Sequence, residues 1–288
     1  VSEIRPVGLG ESDAAPRPVP VPDERTMLAA FDRQVRRDPQ PDGPGDRIER
    51  EGGVVRVVSD GGGWSGVVWS DLDEGGAPAA IAAQIARFAP LRGPWEWKHY
   101  SYDRPADLPE RLSAAGFVPE PVESLLIADV AALTLDATPP AGVRLVPVTD
   151  RAGIDLLVRV HEEVFGGDHT AVGDAILARL AERPGTVAAV VAMAGETPIA
   201  AGRVDFSTGT EFASLWGGGT LPAWRGRGVF RALVAHRVAL AEAAGYRYIQ
   251  VDASAASQPI LRRLGFRQVA QTTPFVYQGA REPAGKPG

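Results

Sequence analysis

The sequence predicts an α+β protein in which a mixed, mostly antiparallel central sheet is flanked by helices, with the same plan used twice. Three observations carry this. Apolar residues alternate between a spacing of two and a spacing of three to four, turn residues separate these runs, and the order strand, helix, Gly-Phe, strand occurs in both halves. The composition agrees: 288 residues with 44% hydrophobic, 23% charged, 33 Gly and 25 Pro fall in the range of soluble globular proteins and suit two domains.

Residues 1–24 carry Pro16, Pro18, Pro20 and Pro22 where a signal peptide would have an apolar helix, so this stretch is expected to be a disordered tail. Met27, Leu28, Phe31 and Val35 then mark one face of a helix ending before Pro39. Val54–Val58 and Val67–Trp69 predict strands joined through Asp60-Gly-Gly-Gly63, and Ala77–Phe88 predicts an alanine-rich helix. A strand (Trp95–Tyr100), a helix (Ala106–Ala115) and a strand (Val122–Val130) complete a first domain spanning 25–130. Residues 131–141, with Thr138-Pro-Pro-Ala-Gly142 at their end, are the expected linker.

The second domain, 142–280, opens with a strand (Val143–Val146) and helices over Gly153–Phe165 and Val172–Glu182. Val187–Met193, Pro198–Phe206 and Glu211–Thr220 predict an antiparallel meander. A helix (Val229–Ala244), a strand (Tyr248–Asp252), a short helix (Pro259–Leu264) and a strand (Phe266–Tyr277) follow, and 281–288 is expected to be a second disordered tail. The repeat is visible in Leu108–Phe117 and Pro259–Phe266. Both are helices closed by Gly-Phe, at Gly116-Phe117 and Gly265-Phe266, where a left-handed residue ends the helix and an aromatic returns to the core.

No cysteine is present, which excludes disulfides, thiolate metal sites and a cysteine nucleophile. His99, His161, His169 and His236 show no ligand spacing, so no metal is expected. No apolar run reaches the ~20 residues of a membrane span, and a cytoplasmic protein is expected. Fourteen basic and 23 acidic side chains precede Pro140, against 16 and 13 after it. An acidic whole with a mildly basic second half argues against nucleic-acid binding and suits a small anionic ligand in that half. Lys98 and Lys286 are the only lysines, and no function is read from that bias.

The chemistry concentrates in Thr220-Leu-Pro-Ala-Trp-Arg-Gly-Arg-Gly-Val-Phe-Arg231, between a predicted strand and a predicted helix. A glycine-rich turn entering a helix leaves outward N–H groups, a ready anion site. Arg225, Arg227 and Arg231 crowd the positive end of that helix, each unfavourable by about 0.3 to 1 kcal/mol unless an anion is bound. The triphosphate loop is excluded because no Lys-Ser or Lys-Thr follows the glycines, and the dinucleotide fingerprint because Arg231 replaces its third glycine.

In all but its last position, Arg225-Gly-Arg-Gly-Val-Phe230 resembles the signature of the GNAT superfamily of N-acetyltransferases, and the element order around it is similar over about 143–277. The resemblance implies acyl-CoA, acetyl-CoA in the first place, with its pyrophosphate on Gly226, Arg227, Gly228, Val229, Phe230 and Arg231. It implies a pantetheine arm pairing with Gly218, Gly219 and Thr220 where two parallel strands splay, and Ser254 where many members place an Asn that touches the cofactor. Trp216 is either core or part of that bare-backbone site. Phe230 replaces a small residue and either narrows the site or turns to the core. Leu261 stands where many members carry a proton-donating Tyr, leaving Tyr246, Tyr248, Ser254, Ser257 or water.

The function implied is an acyl-CoA-dependent N-acyltransferase acting on a small amine or aminoacyl compound by direct attack in a ternary complex, as a monomer or homodimer. An acyl-CoA-binding module without turnover and a protein N-terminal acetyltransferase are the alternatives. The amine must lose a proton before attack, and the candidate groups are Asp252, Glu211 and Asp168, with Ser254 as a further polar group and Glu162, Glu163, His169 and Asp205 nearby. Turn or capping roles for Asp168 and Asp252 stand beside the catalytic ones. The first half resembles a degenerate copy, because Asp71-Leu-Asp-Glu-Gly-Gly76 takes the place of the basic loop and would repel phosphate. No CoA is expected there; the first half is expected to complete a joint core or shape the acceptor pocket, with Trp95, Trp97, His99 and Tyr100 in the core and interface rather than touching ligand.

Overall fold

The computed structural model describes residues 22–279 except 42, 44, 60–62 and 92; of the expected tails 1–24 and 281–288, all but 22–24 lie outside the described residues, as does most of the turn at 60–63, and Asp23 caps a helix that begins at Glu24. The first half runs α1 (Glu24–Phe31), β1 (Asp46–Glu51), β2 (Val54–Ser59), β3 (Gly66–Ser70), α2 (Ala77–Phe88), β4 (Trp95–Tyr100), α3 (Leu108–Ala114), β5 (Val118–Pro119) and β6 (Glu123–Asp129). The second runs β7 (Val143–Val148), α4 (Arg151–Phe165), α5 (Thr170–Glu182), β8 (Val187–Ala194), β9 (Thr197–Phe206), β10 (Phe212–Thr220), α6 (Val229–Ala243), β11 (Tyr248–Ala253), α7 (Gln258–Arg263) and β12 (Arg267–Tyr277). The predicted elements are present; the two-residue β5 is an addition, as is β1, with its sequence Asp-Arg-Ile-Glu-Arg-Glu. An edge strand carries charge on both faces and so has no apolar alternation to betray it.

All the strands join one sheet in the order β1-β2-β3-β4-β12-β6-β11-β10-β9-β8-β7, with β5 beside β12. Only β3 with β4 and β10 with β11 are parallel. Each parallel pair is bridged by a helix, α2 and α6 respectively, as a crossover requires.

The last strands of the halves change places. β6 pairs with β11 of the second half, Asp129 opposite Tyr248 and Ser124 opposite Ala253. β12 pairs with β4 of the first, Tyr277 opposite Trp95 and Thr272 opposite Tyr100. The two exchanged strands then lie beside each other at the centre. Each half is therefore completed by hydrogen bonds and apolar side chains of the other.

One sheet face is covered by α6 and α7, with Val234, Val238 and Leu261 against Leu126, Val204 and Ile249, and by α2 and α3, with Ile81, Phe88 and Leu112 against Trp95 and Trp97. The opposite face meets α4 and α5 at Val187, Ala189 and Val191. α1 covers its middle, where Met27 and Phe31 pack on Leu125, Ile127, Phe212 and Tyr248. Arg36, just beyond α1, is buried; its guanidinium lies 2.9 Å from both Asp103 oxygens and over the Tyr100 ring, tying that segment to β4.

Candidate acyl-transfer site

β10 and β11 pair only over Phe212–Ser214 and Tyr248–Gln250. Beyond them β10 runs on to Thr220 and β11 to Ala253 without further pairing, so the two strands part. Gln250 Nε2 donates to Ser214 Oγ at 2.6 Å at the point of separation.

On its other side β10 stays with β9 but bulges between Trp216 and Gly219, with Gly217 at φ +57°. The three glycines make room for the protein's own side chains. A Cβ on Gly217 would lie 2.7 Å from the His161 ring, one on Gly218 3.1 Å from the Arg237 guanidinium, and one on Gly219 2.9 Å from Val164. The resemblance in sequence implies that this bare backbone serves a pantetheine arm. The structure fills the space with α4 and α6, which leaves the main-chain edge of the bulge as the part turned to the gap.

His161 and Arg237 hold the bulge and were not foreseen as site residues. His161 Nε2 is 2.9 Å from the Gly217 oxygen. Burial lowers the imidazole pKa to about 4, although the bond to Gly217 opposes the shift, so the neutral ring donates Nε2–H to the carbonyl. Arg237 donates to the carbonyl oxygens of Leu233, Arg203 and Trp216 at 3.0 to 3.3 Å. Burial, with repulsion from Arg203, lowers its pKa to about 9, which leaves a cation beneath the bulge at neutral pH.

The loop after β10 turns through Pro222–Trp224 and enters α6 at Gly228, φ +85°, with no side-chain cap and no acidic residue in the first turn. Gly226 is also left-handed, at φ +74°. Arg225, Arg227 and Arg231 are exposed; Arg225 Nε donates to the Thr220 oxygen at 3.1 Å and Arg227 stacks over Trp224. The helix start therefore offers free N–H groups ringed by three guanidiniums. Phe230 packs with the core, its ring 3.3 Å from where a Gly218 Cβ would be, so it turns inward rather than narrowing the loop. At the matching place in the first half, Asp73 Oδ1 accepts the Gly76 N–H at 2.6 Å.

The foreseen catalytic candidates scatter. Asp252 stands in the gap, but its Oδ2 lies 2.7 Å from Lys98 Nζ, so this oxygen neither forms the expected turn with Ser254 nor stands free to take a proton. Glu211 is at the opposite end of β10, seven residues from Gly218 and thus about 20 Å away, where it accepts from Gln34 and neighbours Arg247. Asp168 is exposed and accepts the Thr170 N–H at 2.8 Å, a local turn that lowers its pKa. Ser254, just past β11, meets Ser257 at 3.2 Å. Leu261 is 1% exposed, in the core beneath α6 and α7. Trp95 and Trp97 are in the core and Tyr100 packs with α1.

Between these aromatics, however, Glu96 and Lys98 point to the other face of the sheet, because side chains alternate along a strand. Residues directly opposite share a face, so Asp252, Leu125 and Glu123 lie together across β11 and β6, and Lys98 joins them through Pro274 and Thr272 of β12. Trp216 and Asp252, each two residues past the last β10–β11 pair, face each other across the opening. Lys98 spans it, with Nζ 5.8 Å from the Trp216 ring centroid and 4.0 Å from Glu123. Burial opposes the Lys98 charge, but Asp252 and Glu96 outweigh it and raise the pKa.

Among the described residues no cluster of His, Asp or Glu suits a metal ion, and no helix is long and apolar enough to cross a membrane.

Residues 155–266 match the family model described as "Acetyltransferase (GNAT) family". In fold the chain is similar to a GCN5-related N-acetyltransferase from Kribbella flavida, with TM-score 0.62, 19% identity, and 89% of this chain and 95% of that one covered. It is similar to a tandem GNAT protein from the clavulanic acid biosynthesis pathway, with TM-score 0.58, 14% identity and coverage of 90% and 95%. A GCN5-related N-acetyltransferase from Sphaerobacter thermophilus aligns with TM-score 0.53, 13% identity and coverage of 78% and 80%. No curated protein matches the sequence. The segment that contains the parted strands, the arginine-glycine loop and α6 thus falls within the match to the GNAT acetyltransferase family model, in a chain similar in fold to a tandem GNAT protein over 90% of its length.

Proposed function

We propose that the protein is an acyl-CoA-dependent N-acyltransferase, with acetyl-CoA the donor and a small amine the acceptor, working by direct attack in a ternary complex. The observation that carries this reading is the uncapped start of α6, whose N–H groups and three exposed arginines adjoin the parted strands. A diphosphate there satisfies donors that no side chain caps and relieves the repulsion of the arginines by the helix dipole. Residues 226–231 hold the pyrophosphate, the edge of β10 from Gly218 to Thr220 holds the pantetheine arm, and the thioester reaches the opening beside Trp216. The cationic Arg237 behind the bulge favours negative charge developing on the departing sulfur or the carbonyl oxygen.

Calorimetric titration with acetyl-CoA, followed by CoA release with a panel of amines, tests this. One micromolar site per chain and amine-dependent release are expected; absence of binding by folded protein overturns the reading. The burial of Leu261, where a tyrosine donor is usual in the resembled family, favours a second reading, an acyl-CoA-binding module without turnover. Binding without release from any amine would establish that one. A CoA thiolate with a pKa near 8.5 leaves near neutral pH without full protonation, so Leu261 alone does not decide between them.

A further inference from the structure

The opening between Trp216 and Asp252 is walled on its far side by the first half. Glu96 and Lys98 come from β4 and Glu123 from β6, and all share the sheet face of Asp252. Asp252 is tied to Lys98 through Oδ2, yet its Oδ1 is buried without a hydrogen-bond partner, and its side chain is 5% exposed. Gln250, on the same face at the point where the strands part, is buried and likewise has an unpartnered Oε1. Glu96 gives one oxygen to Trp64 Nε1 at 2.8 Å and leaves the other buried without a partner.

Three buried acceptor oxygens without donors is a costly arrangement, each about 1 to 3 kcal/mol if left empty. All are acceptors, so what completes them must donate. Asp252 is offset by Lys98 and Arg203 is paired with Asp205, so the cleft turns negative as Glu96 and Glu123 ionise, which burial delays in both. Glu123, whose side chain is 30% exposed, is the carboxylate of the group within reach of an entering molecule.

We propose that this cleft is the acceptor site and that it takes a small molecule carrying a primary ammonium, held by Glu96 and Glu123 of the first half, with Glu123 receiving the proton that the nitrogen sheds before attack. This rests on the acyltransferase reading and adds to it the acceptor's charge and the proton's destination. One N–H proton passes to a Glu123 oxygen, and the freed nitrogen pair forms the C–N bond to the thioester carbonyl carbon. The C–S pair leaves on the CoA sulfur, which takes the second surplus proton directly or through water. Burial raises the Glu123 pKa to about 7, with Lys98 opposing and Asp252, Glu96 and Glu120 adding to the rise, so the group exchanges a proton near neutrality. The first half is then part of the active centre, and the strand exchange is what brings it there.

The test uses the full chain, with 1,4-diaminobutane as the probe and Glu123→Gln and Glu96→Gln as two near-isosteric variants. Calorimetry should show the diamine binding the wild-type protein with CoA present, tightening as pH rises from 5.5 to 8, and at least tenfold weaker in each variant, while acetyl-CoA affinity stays within twofold. With diamine as acceptor, Glu123→Gln should lower kcat/KM at least a hundredfold and remove the acidic limb of its pH profile. If the diamine does not bind, or binds both variants as well as wild type, or the limb survives in Glu123→Gln, the inference is wrong. Retained acetyl-CoA binding in that case would leave the acyltransferase reading standing, whereas its loss in the wild-type protein would remove both. If either variant fails to fold, the other and the wild-type pH series still decide.

Discussion

Lys98 Nζ lies 2.7 Å from Asp252 Oδ2 across the strand exchange, one residue from each half of the chain. The pair is largely buried, with side chains 13% and 5% exposed, and it closes one side of the opening in which the site lies. It couples the integrity of the site to the docking of the halves.

Lys98→Met should therefore destabilise strongly. A buried carboxylate stripped of its partner costs about 3 to 5 kcal/mol, whereas replacing both charges by apolar groups can be nearly neutral. Urea denaturation should show a large loss for Lys98→Met and recovery of most of it in Lys98→Met with Asp252→Leu. Equal losses in the single and double variants would show that the pair is not coupled as described.

Gly228→Asp places a carboxylate at the uncapped start of α6 and forces a side chain into a left-handed backbone, φ +85°. Acetyl-CoA affinity should fall at least tenfold, about 1.4 kcal/mol, with the fold retained by circular dichroism. Unchanged affinity in calorimetry would move the pyrophosphate elsewhere.

Gly217→Ala tests the bulge. The added methyl meets the His161 ring at 2.7 Å and sits at φ +57°, a conformation that costs about 1 to 2 kcal/mol for a residue with a Cβ. A clear drop in melting temperature is expected, together with a raised KM for acetyl-CoA, because the displaced ring no longer holds the Gly217 carbonyl. A variant with wild-type melting and KM would show that His161 does not brace this edge.

His161 should make stability fall in acid. Its folded pKa, about 4, lies below its ordinary 6.5 because burial disfavours the imidazolium. Between those values the unfolded chain binds the extra proton, so this contribution is complete above about pH 6.5 and is lost as pH falls towards 4, at most about 3 kcal/mol. Burial, with Arg36 adding, sets His99 in the same direction, also to about 4. Glu123, raised from 4.5 to about 7, acts oppositely, losing stability as pH rises through that window. The measurement is therefore the difference between wild type and His161→Gln: denaturant-derived stability should fall less in the variant between pH 6.5 and 4. Parallel pH curves would mean that the ring is not held neutral.

The sequence by itself determined the local elements and the glycine-arginine turn that opens α6. Helix periodicity at Ala77–Phe88, alternation at Trp95–Tyr100 and the Arg225–Arg231 run are short-range signals, each written within one turn or one strand. What it did not disclose was which half each final strand completes. Residues 123–129 and 267–277 are suitable strands for either half, because alternation specifies the face of a strand and not its neighbour. The exchange of β6 and β12 is a choice among pairings separated by more than a hundred residues, and it rests on packing of both halves at once.

The site divides in the same way. The glycines and arginines of the loop are consecutive in the chain, so their gathering at the start of α6 was legible in order. Lys98, Glu123, His161 and Arg237 act through distance to residues far from them in sequence, and Lys98 was passed over as one of two lysines beside more conspicuous tryptophans. Glu211, a reasonable candidate from its place beside β10, lies at the wrong end of the strand. A carboxylate's chemistry depends on which charges share its few ångströms of low-dielectric surroundings, and only the folding of two halves into one sheet placed Asp252 against Lys98 and left Glu123 facing the opening.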